Sequence, residues 1–191
     1  MFAEDRCPKC HGAQDCYGDH AVNCGFRPGF KQRHEGLVYS LSRVLSLAGI
    51  AHTVNDTDVE LFKDSKGNVR PADLLVKKWN GDRDLCIDVT VISPFTRHGP
   101  DSNALSTAVS RKNEKHRGTC YRHGFDFLAF GASTFGHLHA DGVKFLDRVG
   151  RCLRDRQLLG DGKDCAIFKD WLVLSIQTGV AKQLVARSSF F

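Results

Sequence analysis

The chain contains no apolar run long enough to cross a bilayer. Its most apolar stretch, residues 171–176, lies between Asp170 and Lys182, whereas a spanning helix needs about 20 apolar residues. There is no low-complexity tract and no internal repeat. Prolines number only five, and the apolar fraction of 41% is ordinary for a globular protein, so wholesale disorder is excluded. The opening residues, Met1-Phe2-Ala3-Glu4-Asp5-Arg6, are polar and acidic and lack the basic-then-apolar order of a secretory signal. An intracellular protein with no membrane association is expected. The formal net charge of +5 permits a polyanionic partner without demanding one. The length of 191 residues allows one domain with a real core plus a small appendage.

Cysteine, by contrast, is plentiful. Eight are present, and in a reducing compartment disulfides are rare, so metal binding is the first reading to test. Four fall within the first 24 residues: Cys7, Cys10, Cys16 and Cys24, with His20 among them. The Cys7-Pro8-Lys9-Cys10 step puts two thiolates on one turn. His20 and Cys24 are one helical turn apart and so share a face. Cys7, Cys10, His20 and Cys24 therefore make a tetrahedral zinc set, with Cys16 as a spare that can replace one of them. The segment has almost no apolar residues of its own, and a bound metal would supply its folding energy. Cys86, Cys120, Cys152 and Cys165 sit in apolar contexts and read as small core residues.

The body of the chain reads as mixed α/β. Residues 25–29, with Pro28, form a linker. A helix runs from Arg33, with Leu37, Leu41, Val44, Leu45 and Ala48 on one face and Gly49 at its end. Strands are predicted over 52–62, 72–79 and 84–92. A helix follows the capping run Asp101-Ser102-Asn103. Another strand is predicted over 125–130, then helices over 140–156 and 166–186. This order predicts a layered domain over 31–191, preceded by a zinc module over 1–30.

Two carboxylates stand out. Asn80-Gly81 between the two strongest strands predicts a two-residue type I′ turn. That turn pairs residues whose numbers sum to 161 and sets Asp73 opposite Asp88 inside an apolar hairpin. Directly opposed Cβ atoms lie about 4.5–5.5 Å apart, so the two charges repel unless a divalent cation sits between them. Thr90 shares the face of Asp88 and could orient a water. In the next helix, Leu105, Ala108, Val109 and Lys112 form one stripe, so Lys112 points toward the sheet and needs an anion there. Lys115 lies near the same face. Glu35 is either a third carboxylate for the cation or a solvated helix-start acid.

The series Arg70-Pro71-Ala72-Asp73, Asp88-Val89-Thr90, then a helix with Lys112 and Lys115, resembles the PD-(D/E)xK nuclease superfamily. More closely, it is similar to the restriction-like endonuclease at the C-terminal end of certain non-long-terminal-repeat retrotransposon proteins, which also carry an upstream zinc knuckle and an Arg-His pair opening a helix, here Arg33-His34. The chain departs from the superfamily in Ala72 between proline and aspartate, in Thr90 where a lysine is usual, and in His116 after the second lysine. The chain is too short to hold a reverse-transcriptase palm. The resemblance implies a restriction-endonuclease-like mixed sheet flanked by helices, and a DNA endonuclease using Mg²⁺ or Mn²⁺ at Asp73 and Asp88 with Lys112 or Lys115 in catalysis. It also implies structural Zn²⁺, and DNA contacts from Arg33, His34, Lys77 and Lys78. RNA or a reverse transcriptase are further partners on this reading, and the nucleus is the expected compartment in a eukaryote. Two other classes compete: a zinc-stabilised nucleic-acid-binding module without catalysis, and a cysteine-nucleophile enzyme using Cys86 or Cys120.

Overall fold

The computed structural model describes residues 6–7, 10–13, 19–24, 30–54, 63–64, 67–68, 72–96, 99–156 and 164–188. Cys16, the linker at 25–29, Arg70-Pro71 and residues 55–62 of the expected first strand lie outside them, as does the side chain of Cys165.

A four-stranded mixed sheet forms the centre, in the order β1 (His52–Val54), β4 (Leu74–Asn80), β5 (Arg83–Ile92), β8 (Asp126–Ser133). The first three strands are antiparallel; β8 runs parallel to β5. A parallel neighbour requires a crossover, and α3 (Ala104–Arg122) supplies it. The two-residue strand pairs β2 (Lys63–Asp64) with β3 (Gly67–Asn68), and β6 (Phe95–Thr96) with β7 (Gly99–Pro100), are minor hairpins. Three helices cover the other face: α2 (Phe30–Leu47), α4 (Ala140–Asp155) and α5 (Asp164–Ser188). A short helix, α1 (Asp19–Asn23), precedes them. Among the described residues no helix is long and apolar enough to cross a membrane.

Alternation along the strands divides the interior in two, because successive side chains point to opposite faces. Leu74, Val76, Leu85, Ile87, Val89 and Val91 join Phe130 and Ala132 in the main core, where Leu37, Leu41 and Leu45 of α2 and Leu172 and Ile176 of α5 close over them. The intervening residues face α3. There Leu75, Cys86 and Cys120 form a smaller cluster. Asp88 and Thr90 belong to this second face by the same period of two, and so they lie under α3 and outside the main core.

The hairpin register differs from the expected one at its tip and agrees with it deeper in the sheet. Asn80 is paired with Arg83, so the loop is Gly81-Asp82, with Gly81 at φ 62°. That is the glycine-first pattern of a type II′ turn and not the Asn-Gly type I′ turn. A turn shifted by one residue would move every pair, but β4 carries an irregularity between Val76 and Asn80 that absorbs the difference. Lys78 takes φ 49° there. The Asp84 carboxylate stabilises the bulge, accepting the Lys78 amide at 2.8 Å and pairing with Lys77 Nζ at 3.1 Å. Beyond the bulge the pairs Val76–Leu85, Leu75–Cys86 and Leu74–Ile87 are the expected ones. The hairpin tip is fastened by Arg148, which stacks on Trp79 with its guanidinium carbon 4.0 Å from the ring centre and donates to Asn80 Oδ1 at 2.7 Å.

The position of α3 depends on a close approach at Gly131. A Cβ there would lie 2.5 Å from Val109 Cγ2 and 3.1 Å from Leu105 Cδ1. Gly131→Ala is therefore expected to push α3 off β8 and to cost about 1–3 kcal/mol of unfolding free energy, as overpacking does. Urea titration of the purified variant measures it; an unchanged midpoint would show that the two elements are not in tight contact.

Candidate functional site

The N-terminal ligand set converges. Cys7 opens a tight turn in which His11 N–H donates to the Cys7 carbonyl and Cys7 N–H to the Gly12 carbonyl, both at 2.8 Å, and Arg6 and Ala13 form a bridge across it. This turn brings Cys10 back beside Cys7. From the other side, α1 presents His20, and Cys24 N–H donates to the His20 carbonyl at 2.7 Å, the helical bond that puts both residues on one face. Cys7 Sγ lies 3.7 Å from Cys24 Sγ, Cys24 Sγ lies 3.5 Å from Cys10 Sγ, and Cys10 Sγ lies 3.2 Å from His20 Nε2. All four ligand atoms are within 4.8 Å of one another. Zinc–sulfur bonds of about 2.3 Å in a tetrahedron put sulfurs about 3.8 Å apart, so the set fits a zinc ion. Gly12 fits the same geometry: a Cβ there would stand 2.9 Å from His20 Cε1. The module is docked on α5, where Gln183 Nε2 donates to the Val22 carbonyl at 2.7 Å.

The second constellation lies where the β4–β5 ladder stops. Asp73 immediately precedes β4, and its amide donates to the Ile87 carbonyl at 2.8 Å. Its carboxylate then takes the place of the next strand residue: Oδ2 accepts the Val89 amide at 2.7 Å. The Val89 carbonyl faces His34, whose Nε2 is 3.1 Å away and also 3.2 Å from Asp73 Oδ2. On the α3 side, Lys112 Nζ stands 3.0 Å from Asp88 Oδ1 and 2.9 Å from Oδ2. Asp73, Asp88, Thr90, His34, Lys112 and Lys115 all line one cleft of about 390 Å³, together with Arg33 and His116.

The cleft sets the two carboxylates among the cationic side chains of Arg33, Lys112 and Lys115. Burial pushes the Asp88 carboxyl above its ordinary value, even though Lys112 beside it acts in the opposite direction and Asp73 adds to the rise. A desolvated carboxylate is stabilised by positive charge beside it, here that of Lys112. His34 is shifted up, chiefly by its hydrogen bond to Asp73. His116, nearly fully buried, is shifted down to about 4 by desolvation first and then by Lys115 and Lys112. Its Nδ1 has no hydrogen-bond partner and its Nε2 lies 3.7 Å from Asp88 Oδ2.

The other expected residues are placed as follows. Arg33, read as a DNA contact, is 1% exposed, donates to Gln183 Oε1 at 3.2 Å and borders the same cleft. Lys77 and Lys78 are exposed on the β4 bulge and do not line the cleft. Glu35 pairs with Lys31 at 3.5 Å and is not among the cleft residues. Cys86 and Cys120 are fully buried, so neither thiol is open to a substrate; their mutual bond lowers the Cys120 thiol and, with burial, pushes the Cys86 thiol up. Sequence reasoning missed His116 as a neighbour of Asp88. Its spacing, four residues after Lys112, carried the signal.

Two outcomes follow from this geometry. The purified protein is expected to hold one zinc ion per chain by elemental analysis, and Cys10→Ser to release it while the sheet and its helices keep their circular dichroism; a reduced protein without zinc would refute the site. The histidines should titrate stability in opposite senses. His34 has a raised folded pKa, so its contribution is present below 6.5 and lost as pH rises through the folded value. His116 has a depressed one, so its contribution is present above 6.5 and lost as pH falls toward about 4. Relative to wild type, His116→Phe is expected to gain about 2–3 kcal/mol as pH falls through that window. Denaturant unfolding across pH, without added divalent cations, checks both signs. No protein-family model and no curated protein matches the chain.

Proposed function

We propose that this chain is a metal-dependent DNA endonuclease of the restriction-endonuclease-like class, with residues 31–191 as the nuclease domain and residues 1–30 as a zinc module that aids DNA binding. The retrotransposon-type enzymes it resembles in motif order supply the comparison. The single observation that carries the reading is the convergence of Asp73, Asp88 and Lys112 at one end of a hairpin, in a cleft with further cations around it. A module that only bound nucleic acid would have no use for two carboxylates facing the bound phosphates, because they would repel them.

Asp73 and Asp88 would hold Mg²⁺ or Mn²⁺, since both carboxylates line the same cleft. When bound, the ion supplies Lewis acidity to the phosphodiester and lowers the pKa of a water. The chain's own groups do the rest. Lys112 lies within reach of both the carboxylates and an incoming phosphate, where its ammonium stabilises charge growing in the transition state. Thr90, two residues beyond Asp88, offers a hydroxyl to the same space. Lys115 is more exposed and serves as a phosphate contact. Buried His116, its pKa held down to about 4 by desolvation, remains neutral at neutral pH.

The test is incubation with plasmid and single-stranded DNA, with and without Mg²⁺ or Mn²⁺. Cation-dependent nicking is expected. Asp88→Ala should lower it by about 100-fold or more while DNA binding persists, because other cations carry the phosphate grip. Lys112→Ala should lower the rate without weakening cation binding, since it removes a competitor from Asp88, and Lys115→Ala should do less. Absence of nicking on every DNA tested, with DNA binding intact, would favour the zinc-stabilised binding module instead.

A further inference from the structure

We propose that His34 is a direct ligand of the divalent cation, together with Asp73 and the Val89 carbonyl, and that this nitrogen ligand makes the site select Mn²⁺ over Mg²⁺. The inference rests on the endonuclease reading of the cleft and assigns His34 to the metal, away from DNA contact.

Three ligand atoms from three different elements meet here. His34 comes from the first turn of α2, Asp73 from the bend before β4, and Val89 from β5. The separations are 3.2 Å between His34 Nε2 and Asp73 Oδ2 and 3.1 Å between His34 Nε2 and the Val89 oxygen. Neighbouring ligands of an octahedral ion with bonds of about 2.1–2.2 Å are about 3.0–3.1 Å apart. The two distances are therefore those of two adjoining edges of such an octahedron, meeting at His34 Nε2. A hydrogen-bonding role alone explains them less well. One N–H would have to serve two acceptors, and Asp73 Oδ2 already accepts the Val89 amide. The Val89 carbonyl is suited to the role because β4 has ended beside it, leaving that edge of β5 to side chains. Asp88 lines the same cleft and completes the acidic side.

The imidazole is held where it is by the packing of α2. Its chain neighbour Arg33 is buried against Gln183, and α5 passes so close that a Cβ at Gly179 would stand 3.1 Å from the Arg33 Cα. A ligand fixed by its backbone surroundings loses little freedom when it binds metal. Both ions take carboxylate and carbonyl oxygens, but Mg²⁺ is a hard ion held by oxygen ligands whereas Mn²⁺, a first-row transition ion, tolerates an imidazole among them, so His34 shifts the balance toward Mn²⁺.

The full-length, zinc-loaded protein is titrated with Mn²⁺ and with Mg²⁺ by calorimetry, and the Mn²⁺ complex is examined by pulsed electron paramagnetic resonance. Nitrogen hyperfine coupling from one imidazole is expected in the wild type. It should vanish in Asp73→Asn/Asp88→Asn, which distinguishes this site from His20 at the zinc cluster. His34→Gln should remove the coupling and weaken Mn²⁺ by about tenfold or more, with Mg²⁺ changed by less than about threefold. Mn²⁺ bound at the aspartates with no nitrogen coupling would overturn the proposal and leave the endonuclease reading standing. Nitrogen-coupled Mn²⁺ without DNA cleavage would support His34 as a ligand and overturn the endonuclease reading. Absence of nitrogen coupling in the wild type overturns the proposal whatever the variants do, and coupling that persists in folded His34→Gln overturns it as well.

Discussion

The Val89 amide donates to the Asp73 carboxylate, and the arrangement of the cleft depends on that bond. A strand that continued past Asp73 would satisfy β5 with backbone groups alone. Instead β4 starts only at Leu74, and one side chain substitutes for the missing ladder partner. This holds the carboxylate in the plane of the sheet edge and leaves the Val89 carbonyl for His34. The same truncation explains why Asp73, on a half-buried bend, and Asp88, on a buried strand, come to one cleft from different backbone environments.

Much of this was legible in the sequence, for reasons that differ by residue. The period of two along 84–92 was enough to put Asp88 and Thr90 away from the main core, and the period of 3.6 along α3 was enough to aim Lys112 at them. The spacing of Cys7, Cys10, His20 and Cys24 was enough to group them, since a two-residue step and a helical turn are both local. The hairpin was different. The turn was expected one residue too early, and the register survived because a bulge compensates for the shift. That bulge rests on Asp84 accepting the Lys78 amide, a side-chain bond to backbone that no hydrophobic pattern reveals. The agreement at Leu75–Cys86 is thus the sum of two departures.

What stayed illegible was long-range. Arg33 has the sequence profile of a helix-start cation facing solvent or phosphate, but it lies beneath α5 on Gln183, 150 residues away. Gln183 in turn bonds the Val22 carbonyl of the zinc module. One amide side chain therefore links α1, the start of α2 and α5. Because His34 follows Arg33, the packing that docks the zinc module also sets the height of the imidazole over the sheet. The N-terminal Cys/His module is thereby connected to the cleft without lining it, among the described residues.

The two opposed aspartates also need a different electrostatic account from the one that sequence alone suggests. Read as a bare pair, they repel and demand a cation between them. In the structure each has its own partner: Asp73 has the Val89 amide and His34, and Asp88 has Lys112 on both oxygens. If a divalent ion binds here, as the endonuclease reading holds, its affinity is set by how readily Lys112 gives up Asp88, and not by relief of raw repulsion. Lys112 is one-third exposed on a flexible stem, so it can move toward solvent at little cost in burial. On the endonuclease reading this exchange has a purpose. An ammonium released from Asp88 by the incoming ion is left beside it in the cleft, where the next anion to arrive is a phosphate. The carboxylate would thus keep the lysine in the cleft until the cation and the DNA are both present.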